Sequence, residues 1–215
     1  MIKCVIFDLD GTLLNTLEDL CDSTNYALNK FGYPSRTIEE VRHFVGNGVK
    51  LLIERAIPMG KDNLDFEDCL TTFKKHYKEN MYNKTAPYNG ILELLKTLKS
   101  KNIKTAVVSN KFDIAVKELC KKYFGELIDI AIGENEAEGI RKKPAPDSIL
   151  KVIADFNLDK KHVIYVGDSE TDIETAKNAH VDCIACSWGF RELDTLIKQN
   201  PRYIINTPKE LLNLI

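Results

Sequence analysis

Two carboxylates stand two residues apart in the run Asp8-Leu9-Asp10-Gly11-Thr12, where an apolar stretch ends. In such a pair one ionised carboxylate can attack phosphorus in line, while the other protonates the leaving oxygen and then activates water. The preceding run, Ile2 to Phe7, is β-branched and mostly apolar, as a strand buried on both faces of a parallel sheet is. Ligands of open α/β sheets bind outside the carboxyl ends of the strands, so a strand here delivers Asp8 and Asp10 to that crevice. Taken alone, the same residues also suit an Asx-type turn in which Asp10 caps the reversal before Gly11.

Three later segments bring polar groups to predicted strand ends. Val107-Val108 runs into Ser109-Asn110-Lys111, a hydroxyl, an amide and an ammonium that can all hold phosphate oxygens. Ser109 or Asn110 would equally serve as a helix N-cap. Lys143 precedes the turn Pro144-Ala145-Pro146, whose prolines fix the backbone from which the lysine reaches. Val163 to Val166 ends in Gly167-Asp168-Ser169-Glu170-Thr171-Asp172, with Asp168 at the strand tip and Asp172 about one helical turn on. Together these ends collect Asp8, Asp10, Asp168, the Ser109 hydroxyl and Lys143. Crowded carboxylates raise one another's pKa unless a cation sits between them. Mg2+, a hard ion with oxygen ligands, suits a site of few carboxylates that also receives a phosphate oxygen and waters.

The elements that must position these residues follow an α/β rhythm. Strands are expected at Ile103 to Val108, Ile128 to Ile132, Val163 to Val166 and Val181 to Ala185, with an edge strand at Tyr203 to Ile205. Helices are expected from about Gly90, over Asp113 to Tyr123, Pro146 to Phe156 and Thr171 to Ala179. Single helices between strands imply right-handed crossovers and one Rossmann-like parallel sheet with helices on both faces. Between the first strand and this rhythm lies an all-helical insert. Leu17, Leu20, Thr24, Ala27, Leu28 and Phe31 recur at helical spacing, two short helices flank Gly46-Asn47-Gly48, and a longer one runs from about Leu64 to Met81. The expected division is a core of residues 1–14 and 84–215 and a helical domain of residues 15–83.

With 215 residues and 44% hydrophobic content the chain can bury one good core plus a small insert. A formal charge of -2 provides no field to hold nucleic acid or an anionic membrane. No stretch approaches the roughly 18 apolar residues of a membrane span. The N-terminal apolar run is short and interrupted by Lys3 and Asp8, without a basic leader or cleavage site, so no signal peptide and a cytoplasmic location are expected. Of six cysteines, Cys183 and Cys186 form a C-x-x-C spacing. It lacks a second pair and overlaps a predicted strand, so core packing is expected over redox or zinc use.

Asp8-Leu9-Asp10-Gly11-Thr12, Ser109, Lys143 and Gly167-Asp168 to Asp172 resemble the four ordered motifs of the haloacid dehalogenase superfamily, and they span nearly the whole chain. The resemblance implies a magnesium-dependent phosphatase in which Asp8 is the nucleophile forming an aspartyl-phosphate and Asp10 the general acid/base. Ser109 is then a phosphate ligand, and Lys143 orients and neutralises nucleophile and phosphate. Gly11, Thr12, Asn110 and Lys111 also fall at the substrate. Magnesium is implied at the Asp8 carboxylate, the Asp10 carbonyl and Asp168, with Asp172 close by as support. The insert resembles the family's small cap domain, a lid that excludes water and carries substrate recognition. His43-Phe44-Val45-Gly46-Asn47-Gly48, with Glu54, Arg55 and Ala56 after it, resembles the cap of phosphoglycolate phosphatases, which implies 2-phosphoglycolate as substrate and Gly46, Asn47, Gly48 and Arg55 as its readers. An ordinary helix-helix turn braced by Arg55 is the other reading of that segment. The expected partner is a small phosphate ester, with neither nucleic acid nor membrane, and the chain is expected to be a monomer or homodimer. A phosphomutase, a pyrophosphatase or a nucleotidase of the same superfamily remains open, as does a phosphoacceptor signalling module. The last would lack a second acid such as Asp10.

Overall fold

The computed structural model describes residues 1–215, the side chain of Glu138 excepted. By its internal contacts the chain divides into two units, Met1–Leu14 with Pro87–Ile215, and Asn15–Ala86.

The first unit is built on six strands: β1 (Cys4–Phe7), β4 (Lys104–Phe112), β5 (Ile130–Glu134), β6 (Val163–Gly167), β7 (Asp182–Cys186) and β8 (Tyr203–Ile205). They form one sheet in the order β5-β4-β1-β6-β7-β8, every pair parallel. All four residues of β1 are buried, as the unbroken apolar run requires of a central strand. The chain winds outward from β1 to β4 and β5, then returns to β6 on the other side of β1. With right-handed crossovers, that reversal puts α5 (Ile91–Ser100) and α6 (Asp113–Tyr123) on one face of the sheet. It puts α7 (Asp147–Asp155), α8 (Glu170–Ala179) and α9 (Leu193–Lys198) on the other. Alternate strand residues Cys4, Ile6, Ala106, Val108, Val163, Tyr165, Cys183 and Ala185 form one apolar cluster with Ile149 and Val152 of α7, Ile173 and Ala176 of α8, and Leu196 of α9. The switch point between β1 and β6 is where a crevice opens at the carboxyl ends of a doubly wound sheet.

The second unit holds α1 (Leu17–Lys30), α2 (Ile38–Phe44), α3 (Val49–Ala56) and α4 (Phe66–Asn80). Thr37 opens α2 with a capping box, its side chain accepting from Glu40 N while the Glu40 carboxylate accepts from Thr37 N. The buried Asp19 of α1 accepts from the main-chain N–H groups of Lys84 and Thr85 and from the Thr85 hydroxyl. That hold keeps Lys84 and Thr85 with the helices of the unit Asn15–Ala86. Two-residue strands β2 (Leu14–Asn15) and β3 (Ala86–Pro87) pair where the chain passes between the units.

The elements expected from the sequence are found to within about two residues apart from the end of β4, while α9, β2 and β3 were not expected. Residues Ser109 to Lys111 do not follow β4 but lie inside it, in a stretch where the register to β5 shifts between Val108 and Phe112. Cys183 and Cys186 sit three apart on β7, so they face opposite sides of the sheet, and both are buried free thiols. Among the described residues no helix is long and apolar enough to cross a membrane.

Candidate active site

β1 ends in register with its neighbours, Phe7 opposite Val107 of β4 and Val166 of β6. Asp8 continues that line, donating its main-chain N–H to Val166 O at 2.9 Å. The sheet therefore sets Asp8 beside Asp168 and on the same edge as Ser109.

Lys143 is the centre of this edge. Its ammonium lies 2.8 Å from Asp8 Oδ1 and 2.7 Å from Asp172 Oδ1, and it donates to Tyr165 OH at 3.1 Å. The Asn110 side-chain amide fixes the backbone below, accepting from Lys143 N at 2.7 Å and donating to Lys143 O at 3.1 Å. Asp172 is committed on both oxygens. Oδ1 takes Lys143 and the Tyr165 hydroxyl (2.9 Å), and Oδ2 takes Ser169 N (3.1 Å) and Oγ (2.5 Å) in the capping box that opens α8. A Cβ on Gly167 would overlap the Asp172 side chain, so glycine there is what lets the carboxylate come in beneath β6.

Asp168 is held from a different side. Thr12 Oγ1 donates to its Oδ1 at 3.1 Å and Phe190 N to its Oδ2 at 2.7 Å. The Thr12 carbonyl is held in turn by Trp188 Nε1 at 3.0 Å. A Cβ on Gly189 or on Gly11 would overlap the Asp168 carboxylate, and Gly11 also carries a φ of +89°, so glycine is required at position 11 on both counts. Asp10 is paired separately. Lys111 Nζ lies 2.9 Å from each of its oxygens. Ser109 is buried, its Oγ accepting from Lys111 N at 3.3 Å.

Burial dominates the electrostatics. It pushes the Asp8 carboxyl up to about 7 against the pull of Lys143, with the charges of Asp172 and Asp10 adding to the rise. It pushes Asp168 up to about 8, reinforced by Asp172 and Asp8. Burial also works against the Lys143 ammonium, but Asp172 and Asp8 more than reverse it and hold the lysine above its ordinary range. Lys143 sits between Asp172 and Asp8, and burial together with mutual repulsion disfavours ionising Asp8 and Asp168 at the same time.

Oxygens of Asp8, Asp168 and Asp172 come within 4.8 Å of one another, the one such cluster among the described residues. A divalent cation among these carboxylates would favour the ionised forms that burial opposes. Asp8 Oδ1 is buried and accepts no aligned hydrogen bond, the Lys143 ammonium standing off its hydrogen-bonding direction. An all-oxygen donor set of clustered carboxylates fits a hard divalent ion such as Mg2+.

In the helical unit, Gly46 and Gly48 both adopt positive φ, at 108° and 87°, and form the turn between α2 and α3. Arg55 braces it, donating to Phe44 O at 2.7 Å and to Asn47 Oδ1 at 3.1 Å.

The family model of the haloacid dehalogenase-like hydrolases matches residues 5–186, which takes in Asp8, Lys143, Asp168 and Asp172 together. This chain is a haloacid dehalogenase-like hydrolase. The phosphoglycolate phosphatase of Aquifex aeolicus is 32% identical to it over 219 residues, covering 100% of this chain and 97% of the relative. The enzyme of that name from Pseudomonas putida is 31% identical, covering 98% and 78%. A solved structure from Lactobacillus delbrueckii subsp. bulgaricus, described as a candidate phosphoglycolate phosphatase, superposes with a TM-score of 0.91 at 36% identity, covering 97% of this chain and 96% of its own.

Within this hydrolase site the sequence alone did not point to Tyr165, Trp188, Gly189 or Phe190. Tyr165 alternates with Val166 as an ordinary apolar strand residue, and nothing in the spacing marks its hydroxyl as reaching Lys143 and Asp172. Burial and the Asp172 charge hold the phenol well above its usual range, so it stays a donor. Tyr165→Phe leaves the ring packed but removes a buried hydroxyl bonded to two charged groups. It should lower stability by about 1–2 kcal/mol, roughly 2–6 °C in a thermal melt. An unchanged melting temperature would show the hydroxyl to be dispensable to the network.

Proposed function

We propose that this hydrolase is a magnesium-dependent phosphatase that cleaves small phosphate monoesters through an aspartyl-phosphate on Asp8, with 2-phosphoglycolate as its substrate. The observation that carries the reading is the separation of the two strand-end acids. Asp8 is buried against Lys143, whereas Asp10 is partly exposed and paired with a different lysine. Two carboxylates in two environments can do two jobs.

Asp8 attacks phosphorus and the bond to the ester oxygen breaks, while Asp10 gives its proton to the departing alcohol. Water then attacks the same phosphorus, Asp10 takes the water's proton, and inorganic phosphate leaves with the Asp8 carboxylate restored. Lys143 fixes the nucleophile and balances charge. Ser109 is read as a phosphate ligand at the edge of the crevice. Mg2+, held by Asp8 and Asp168 with the Asp10 carbonyl that the family likeness adds, would neutralise the nucleophile and the phosphate oxygens. Asp172, filled on both oxygens, is read as the anchor of Lys143 rather than as a ligand. Thr12 and Asn110 are likewise read as supports, of Asp168 and of the Lys143 backbone. The helical unit is read as the cap that selects substrate, with Arg55 as the buttress of the Gly46-Asn47-Gly48 turn. Relatives named phosphoglycolate phosphatase that match along essentially the whole chain support the choice of substrate.

The test is phosphate release from 2-phosphoglycolate, sugar phosphates, nucleotides and pyrophosphate, each with magnesium and with chelator. The expected result is release that depends on magnesium, with the highest kcat/KM for 2-phosphoglycolate. Preference for another ester would keep the chemistry and discard the substrate, and release from none of them would overturn the reading.

A further inference from the structure

Lys111 belongs to none of the four motifs, yet its side chain reaches Asp10. Its ammonium bonds both carboxylate oxygens at 2.9 Å, and its side chain is 2% exposed against 18% for Asp10. The lysine therefore lies behind the acid. A phosphate ester entering the crevice meets the Asp10 carboxylate before it meets the ammonium, the reverse of the order expected of a phosphate ligand.

The strand is built to aim this side chain. The register of β4 to β5 shifts between Val108 and Phe112, and such irregularities re-aim side chains beside active sites. Lys111 N donates to Ser109 Oγ at 3.3 Å. A Cβ on Gly133 of β5 would overlap Lys111 O, so glycine there lets the two strands close on this residue. The lysine has a fixed base, and its contacts to both oxygens constrain how the Asp10 carboxylate can turn. A general acid must present one oxygen to the leaving group, and a displacement on the order of 1 Å can remove about a hundredfold in rate.

We propose that Lys111 is a positioning residue for Asp10, holding the acid at the angle from which it serves the leaving oxygen, and is not a ligand of the phosphate. The proposal rests on the aspartyl-phosphate reading above. It predicts a dependence on the leaving group. kcat/KM reports the steps through departure of the alcohol, so the later role of Asp10 as a base drops out of it. An alkyl alcohol needs a proton to leave, whereas 4-nitrophenolate does not.

The experiment compares wild type, K111M, K111R, D10N and the double variant D10N/K111M on 2-phosphoglycolate and on 4-nitrophenyl phosphate. A thermal melt of each variant accompanies the kinetics. For K111M, kcat/KM should fall about 10–100-fold on the alkyl ester and no more than about fivefold on the aryl ester. Inhibition by inorganic phosphate should change little. K111R, which keeps a cation and paired donors, should recover most of the alkyl rate. The double variant should be no slower on the alkyl ester than D10N alone, because Lys111 acts only through Asp10. Equal losses on both esters with weakened phosphate inhibition would make Lys111 a phosphate ligand and overturn the proposal, as would a further tenfold loss in the double variant. If K111M does not fold, K111Q, which also removes the cation but keeps a polar end, takes its place in every comparison with the same expected and overturning results. A D10N enzyme that loses both esters alike would overturn the acid role of Asp10 itself, and this proposal with it.

Discussion

An Asp8→Asn enzyme releases no phosphate above background while remaining folded. The substitution is nearly isosteric, but an amide oxygen is a poor nucleophile and cannot form the acyl phosphate. The loss should therefore exceed the roughly 10²–10⁴-fold that removing general acid–base catalysis alone brings. The same change relieves a local strain in charge. Asp8 is buried, its carboxyl is pushed up to about 7 chiefly by that burial, and Lys143 keeps Asp172 as a partner at 2.7 Å. Asn takes one ionisable carboxyl out of that buried group, so the melting temperature without magnesium should hold, and should rise above about pH 7 where the Asp8 carboxyl would otherwise ionise against burial. Single-turnover phosphate release and a thermal melt on one preparation check both halves. Near-normal turnover dependent on magnesium would place the nucleophile elsewhere, and collapse of the fold would mean that Asp8 carries structure as well as chemistry.

The sequence was most legible where local pattern and tertiary role coincide. Ile2 to Phe7 is apolar because β1 is central, and Asp8 follows it because the carboxyl edge is where polar groups face a crevice. Gly167-Asp168 reads the same way after β6. The dependable signal was the change from a buried run to a charged residue, which depends only on which neighbours a strand has. The destinations of side chains were less legible. Asn110 and Lys111 are adjacent and were both expected at the phosphate. In the fold the first clamps the backbone of Lys143, 33 residues on, and the second pairs with Asp10, 101 residues back. Nothing local distinguishes them, because the register shift that turns them apart arises from how β4 meets β5.

The same limit applies to the metal group. Asp168 and Asp172 are both acids after one strand, and spacing alone gives them similar standing. Ser169 and Tyr165 then fill the oxygens of Asp172, while Asp168 is left to Thr12 and the main chain of Phe190. Trp188 to Phe190 entered the site without a sequence signal, because a loop after β7 reaches Asp168 only once the sheet has formed. From the sequence Arg55 could read substrate or brace the turn, with the brace the stronger reading. Its hydrogen bonds to Phe44 O and Asn47 are those of a brace.

Lys143→Met should lose stability and turnover together, and the two losses should be separable. The lysine is buried between Asp8 at 2.8 Å and Asp172 at 2.7 Å, and its neighbour Pro144 is held through its carbonyl by Asn178 at 2.9 Å. Methionine keeps the volume of the stem but leaves three buried carboxylates without a cation. Breaking a buried pair in this way costs about 3–5 kcal/mol, or roughly 10 °C in this size of chain. Magnesium should restore part of that melting temperature, since a divalent ion placed among the same carboxylates supplies charge the lysine no longer does. It should not restore turnover, because nothing then fixes the Asp8 oxygen for attack. Adding Asp172→Asn to Lys143→Met removes the stranded charge and should recover most of the lost stability, again without recovering activity. A double variant that regained turnover along with stability would reduce Lys143 to a structural counter-ion of Asp172. A double variant as unstable as the single one would mean that Asp8, and not Asp172, is the charge that needs the lysine.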